Sequence, residues 1–157
     1  MISNSYAQEH KSDSVQVGLK KNVISITLGT ALYVGIVNGN YERIFSQKKT
    51  GFFKTYLMRY GLGWYESYGS PGFNAIVGIS GLSGLRKGHF ELNLGVAAMF
   101  NWNGYHDEDS NDRILGKTLI IPAGAIGYRF QKPGGQFVFR TGIGFPESVY
   151  LSFGFCF

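Results

Sequence analysis

From Asn22 to its last residue the chain alternates bulky apolar side chains with small or polar ones. A period of two belongs to strands with two unlike faces and excludes helices over most of this length. The last segment is the clearest. Val149, Leu151, Phe153, Phe155 and Phe157 share one face, and Tyr150, Ser152, Gly154 and Cys156 share the other. Before it, Phe137, Phe139, Ile143 and Phe145 oppose Gln136, Arg140, Gly142 and Gly144, behind a turn made by Pro133, Gly134 and Gly135. A longer run sets Phe90, Leu92, Leu94, Val96, Ala98, Phe100 and Trp102 against Glu91, Asn93, Gly95, Ala97, Met99 and Asn101. The pattern predicts eight strands, near residues 23–30, 36–45, 55–64, 73–83, 90–102, 120–130, 136–145 and 149–157. Pro122 lies inside the sixth and predicts a bulge there, because proline cannot donate to a central ladder.

Alternation alone does not say which face points inward. Residue size does: one face is aromatic and aliphatic throughout, whereas the other is mostly Gly, Ala, Ser, Thr and Asn, which suit the crowded interior of a narrow barrel. The bulky face then points out, toward lipid. Most of the 15 basic and 10 acidic residues fall outside the alternating windows, where a soluble barrel would instead line its solvent face with them. A soluble lipocalin-like carrier would need the opposite assignment and would leave the aromatic face in water. Strands of this length cross an apolar band of about 25 Å when tilted. The expected fold is therefore an all-β, eight-stranded antiparallel up-and-down transmembrane β-barrel over residues 22–157.

Composition removes other classes. The stretch between Glu66 and Arg86 has no charge but is rich in Gly and Ser and contains Pro71, so it is no transmembrane helix. The single cysteine, Cys156, excludes an intramolecular disulfide framework and a cysteine zinc cluster. Net charge is +5, but no segment gathers Lys and Arg into a nucleic-acid stripe. Residues 1–8 read either as the remnant of a signal peptide or as an ordinary disordered N-terminus, and residues 9–21 as a polar, periplasmic tether. Short basic connections carrying Lys48, Lys49, Arg86, Lys87 and Lys132 alternate with others, of which 65–72 and 103–116 are the longer. Short turns belong to the periplasmic side of such barrels. The expected location is the cell outer membrane with the N-terminus in the periplasm.

Three stretches carry a family resemblance: NGNYERIF at residues 38–45, GYRFQKPGGQFVFRTGIGF at 127–145, and the terminal SFGFCF. They resemble small outer-membrane β-barrel proteins of the Bacteroidota, over roughly residues 23–157. The terminal strand, with Phe153, Phe155 and Phe157, is similar to the signal that barrel-assembly machinery reads, although Gly154 stands nearer the end than the usual glycine. The resemblance implies a fold and a location. It does not imply one activity, since such barrels include adhesins, lipid-modifying enzymes and accessory subunits of secretion or uptake complexes.

The candidate sites follow from parity. Glu42, Glu91, Arg59, Arg129 and Arg140 all fall on the inward face, where guanidinium forks and carboxylates satisfy one another and plug the lumen. Asp107, Glu108, Asp109 and Asp112 gather in an external loop that offers a partner or cation contact, without EF-hand spacing. His106, Asp109 and Ser110 have the residue types of a hydrolase triad, but neighbours in one loop do not attain triad geometry. The palmitoyltransferase barrels resemble the chain in strand number without an alignable catalytic motif, and no His-x-Ser pattern follows His106. His10 and His89 lack an evident base or metal partner. Arg43 and Lys54 face outward near the periplasmic rim and read as anchors. The glycine pairs Gly61/Gly63 and Gly142/Gly144 read as room for close approach inside the barrel. The expectation is a non-catalytic barrel without cofactor or metal, surrounded by outer-membrane lipid. It would be inserted by the assembly machinery and act as scaffold or accessory subunit of a larger secretion, export or uptake complex. An outer-leaflet lipid-modifying enzyme and a small adhesin are the alternatives.

Overall fold

Eight antiparallel strands close on themselves in chain order in the structure, a computed structural model that describes residues 18–31, 34–67, 70–84, 86–101 and 118–157. They are β1 (Asn22–Ala31), β2 (Val34–Gln47), β3 (Phe53–Ser67), β4 (Ser70–Ser83), β5 (Gly88–Asn101), β6 (Thr118–Gln131), β7 (Phe137–Phe145) and β8 (Ser148–Cys156). Every strand pairs with its sequence neighbour, and β8 returns to β1 through partners such as Val23 and Cys156. Closure removes the sheet edges that an open eight-stranded sheet would expose. Asn22 and Phe157 exchange backbone hydrogen bonds of 3.1 and 2.9 Å and mark one end of the barrel, the terminal end.

Alternation becomes inside and outside. Ile24, Ile26, Leu28, Tyr60, Leu62, Leu94, Ile126, Ile143, Phe153 and Phe155 are all exposed on the outer wall. Ser25, Thr27, Asn38, Asn40, Asn74, Ser80, Asn93 and Ser152 are buried within. The barrel is thus apolar outside and polar inside. Exposed apolar side chains run around it as a band, larger than the patches that monomers in water carry.

One strand pair runs on further than expected. Residues 65–72 are not a long connection: β3 and β4 run on until Ser67 pairs with Ser70, with Tyr65 turned inward and Glu66 outward. β7 and β8 stand where the pattern placed them and are short, with 9 residues each against 14 in β2, β4, β5 and β6. The β6–β7 ladder ends at Gly124 and Phe145, whereas β5 pairs with β6 as far as Thr118. Above Gly124, β6 therefore has no partner on its β7 side.

That edge explains Pro122. Its pairing with Val96 on β5 shows no register shift, so the predicted bulge is absent. The Gln131 amide donates to the Lys87 carbonyl at 2.8 Å, which turns odd-numbered residues of β6 toward β5 and even-numbered ones toward β7. The amide that Pro122 lacks would have pointed at the unpaired edge, where a ladder loses nothing. Bulges occur instead between Ile44 and Ser46 on β2 and between Phe53 and Thr55 on β3, with Phe45 and Lys54 as the extra residues.

Glycines make room for long inward side chains. A Cβ on Gly61 would lie 2.8 Å from Asn40 Oδ1, and one on Gly127 would lie 2.5 Å from the Tyr150 hydroxyl. At the terminal end the lumen is apolar: Ile44, Leu57 and Leu82 pack with Leu19, and Val23 packs with Val138 and Cys156. Residues 18–21 cross this end, with the Lys21 carbonyl accepting from the Ile44 amide at 2.8 Å.

Candidate functional site

Four strands bring two acids and two arginines to one level of the lumen. Glu42 comes from β2, Glu91 from β5, Arg129 from β6 and Arg140 from β7, and all four are fully buried. Arg140 forks between the acids. Its Nη1 donates to Glu42 Oε1 at 2.7 Å, its Nη2 to Glu91 Oε1 at 2.5 Å, and its Nε to Glu91 Oε2 at 3.1 Å. Arg129 Nη1 donates to Glu42 Oε2 at 2.5 Å and lies 3.7 Å from Glu91 Oε2, while its Nε donates to Gln131 Oε1 at 2.9 Å. Charges balance within this group, which is the condition under which ionised side chains survive burial. The Tyr150 ring lies over Arg140, with its centroid 5.8 Å from the guanidinium carbon.

Arg59 forms a second cluster nearer the far end. Its Nη2 donates to Glu147 Oε1 at 2.5 Å, and its Nε and Nη2 reach Asn40 Oδ1 at 3.0 and 2.8 Å. Asn38 Nδ2 donates to Glu147 Oε1 at 3.0 Å, and Asn40 Nδ2 to Thr27 Oγ1 at 2.9 Å. Glu147 stands in the turn between β7 and β8 and folds inward to only 3% exposure. Burial would raise its carboxyl, but the Arg59 charge and the hydrogen bonds from Arg59 and Asn38 outweigh that and hold it below the ordinary carboxylate range. Beside Arg59 and Glu147, a cavity of about 20 Å³ is lined also by Ser80 and Asn93. One water needs about 10–15 Å³.

Of the five inward residues expected to share one network, four meet and Arg59 does not join them. It pairs with Glu147, which sequence parity could not assign because Pro146 and Glu147 lie between strands. The apolar layer of Ile44, Leu57 and Leu82 was also missed, although Ile44 and Leu57 have inward parity. Phe153, Phe155 and Phe157 project outward along the wall of β8. Arg43 is exposed, Lys54 is half-buried, and both stand near the terminal end. His89 is buried, with Nδ1 2.7 Å from the Ser83 carbonyl oxygen. Asp107, Glu108, Asp109, Asp112, His106, Ser110 and His10 lie outside the described residues.

Every carboxylate oxygen of Glu42 and Glu91 is engaged by a guanidinium, so neither acid is offered to a substrate. Among the described residues no group of three or more His, Cys, Asp or Glu is placed to hold a metal ion. What the arrangement does is fill the lumen with paired charges, beside which Arg129 Nη2 and Gln131 Nε2 are buried without a hydrogen-bond partner in the protein.

No family model matches the chain, and no curated protein matches it either. A solved structure does. The chain superposes on the N-terminal β-barrel domain of OprF from Pseudomonas aeruginosa with a TM-score of 0.64, covering 89% of this chain and 99% of that one. Identity across the match is 12%, so what the two chains share is the closed eight-stranded β-barrel fold.

Proposed function

We propose that this protein is a non-conducting outer-membrane barrel, with its N-terminus in the periplasm, that serves as scaffold or accessory subunit of a larger outer-membrane complex for secretion, export or uptake. The observation that carries this reading is the closed lumen: Glu42, Glu91, Arg129 and Arg140 fill it at one level, and the apolar side chains around Leu57 and Val138 fill it below. A wall that is apolar on every strand supports the membrane location, because only closed barrels and helices satisfy their backbone within lipid. With its interior occupied by its own side chains, the barrel offers partners its outer surface and its connections. Assembly machinery would read the terminal strand with Phe153, Phe155 and Phe157. The likeness of residues 38–45, 127–145 and the terminal strand to Bacteroidota barrels supports an origin in that group.

The test is extraction of separated membrane fractions with mild detergent, followed by mass spectrometry of whatever accompanies the protein. A stoichiometric larger partner in the outer-membrane fraction is the expected result. Recovery there as a lone monomer overturns the accessory role and favours the enzyme or adhesin, and recovery in the soluble fraction overturns the membrane reading.

A further inference from the structure

Charge on the outer surface is segregated by end. Among the described residues every exposed or half-buried Lys and Arg lies at the terminal end, on strand ends, turns or the segment before β1. The other arginines among the described residues, Arg59, Arg129 and Arg140, are inside the lumen and paired. Glu42, Glu91 and Glu147 are likewise inside, and Glu66, exposed, stands near the far end opposite Pro71. The terminal rim thus carries cations with no Asp or Glu side chain among the described residues to neutralise them.

Two turns concentrate this charge beside aromatic surface. Lys48 and Lys49 follow β2, and Arg86 and Lys87 precede β5; all four are exposed. The turns are neighbours. Phe52, before β3, packs on Phe53 at 5.0 Å and on Phe90 of β5 at 6.0 Å between ring centroids. The cluster continues from Phe53 to Tyr56 at 6.5 Å and on to Phe45 at 6.3 Å. Phe52 is 68% exposed, so the cluster turns a broad apolar face outward directly beside the cations. Lys48 Nζ lies 5.4 Å from the centroid of Tyr56, on the same seam.

We infer that the β2–β3 and β4–β5 turns form a binding site for an anionic phospholipid. Lys48, Lys49, Arg86 and Lys87 hold the headgroup phosphate, and the acyl chains lie along Phe45, Phe52 and Phe90. A soluble polyanion would use the cations and leave the aromatic face in water. A lipid uses both, because its phosphate and its chains meet at the depth where aromatic and cationic residues stand together. The inference rests on the membrane reading above, not on the accessory role.

The test is reconstitution into nanodiscs holding equal phosphatidylglycerol and phosphatidylcholine, with native mass spectrometry of the lipids that stay bound when the disc is removed. Wild-type protein should retain phosphatidylglycerol over phosphatidylcholine by at least about fivefold, the scale expected of one cation near an anionic surface. The variant with Lys48→Gln, Lys49→Gln, Arg86→Gln and Lys87→Gln should retain the two equally. Reversing the cation types, with Lys48→Arg, Lys49→Arg, Arg86→Lys and Lys87→Arg, should keep the preference, and Lys132→Gln should leave it unchanged. Equal retention by the wild type, or an unchanged preference in the glutamine variant, overturns the lipid site while leaving the barrel in its membrane. Failure of the wild type to enter nanodiscs overturns the membrane reading and the site together.

Discussion

Arg140 on β7 and Glu91 on β5 meet fork to fork across the strand between them, with two N–H···O bonds of 2.5 and 3.1 Å. The pair joins strands that share no ladder, so the barrel is held across its lumen as well as around its wall. Replacing Arg140 with Met leaves Glu91 short of its bidentate partner and Glu42 short of one donor, in a place that water does not reach. Breaking a buried pair from one side costs about 3–5 kcal/mol. Urea titration of the folded barrel should show that loss for Arg140→Met, and a smaller one when Glu91→Gln is added to it.

The Arg59–Glu147 pair carries a pH dependence with a defined sign. The Glu147 carboxyl is held below its ordinary value of 4.5 in the folded state, so its stabilisation is complete above the unfolded value and is lost as pH falls through the folded one. The expected outcome is a urea midpoint that declines below about pH 4.5 in the wild type. In Glu147→Gln the decline should be shallower, measured at the same pH values, with lower stability at pH 7.

Gly61 tests how tightly the interior is filled. A methyl group there meets Asn40 Oδ1, the atom that receives both Nε and Nη2 of Arg59. Any shift of Asn40 Oδ1 disturbs both of its bonds from Arg59. Gly61→Ala should therefore cost about 1–3 kcal/mol in denaturant unfolding, the range for overpacking a filled interior. Gly35, with no atom within 4 Å of an added Cβ, is the control and should change little as Gly35→Ala.

Leu94 tests the medium around the wall. It is 64% exposed near mid-height on β5. If lipid surrounds it, Leu94→Arg should destabilise the barrel in phospholipid vesicles by about 2–4 kcal/mol. Phe45→Arg, at the rim, should cost about 0–1 kcal/mol. Equal and negligible effects, as for surface changes in water, would show a wall that no bilayer covers.

Inside and outside were legible because period two survives wherever the ladder is regular. Asn38, Asn40 and Glu42 on β2, and Arg129 on β6, point inward as their parity requires. The misreadings collect where parity is interrupted. Glu147 sits in a turn, and a turn residue has no face until the turn is built, so the partner of Arg59 could not be read. The outward faces of Phe45 and Lys54 were read, but not the bulges they form, because bulges leave no compositional mark in this chain. Pro122 was legible as a ladder problem but not as a ladder end, since strand length on β7 is set by where the chain turns and not by anything in β6. The long 65–72 connection was an error of the same kind: Gly and Ser near Ser70 suggested a loop, but pairing overrode them.

The short hairpin of β7 and β8 has a consequence for what surrounds the barrel. Nine residues rising about 3.3 Å each, tilted by about 40°, reach roughly 23 Å, whereas fourteen reach roughly 35 Å. In the outer membrane proposed for it, one side of the molecule would be too low for a hydrocarbon layer of about 25 Å and the other would exceed it. A bilayer meeting such a wall thins against the low side, or the barrel leans until the heights even out. Either response makes the surroundings unequal around the circumference. Lipids beside Val149 and Leu151 would be more disordered than those beside Tyr60 and Val77, and a neighbouring protein with a matching low flank would relieve both distortions by standing there.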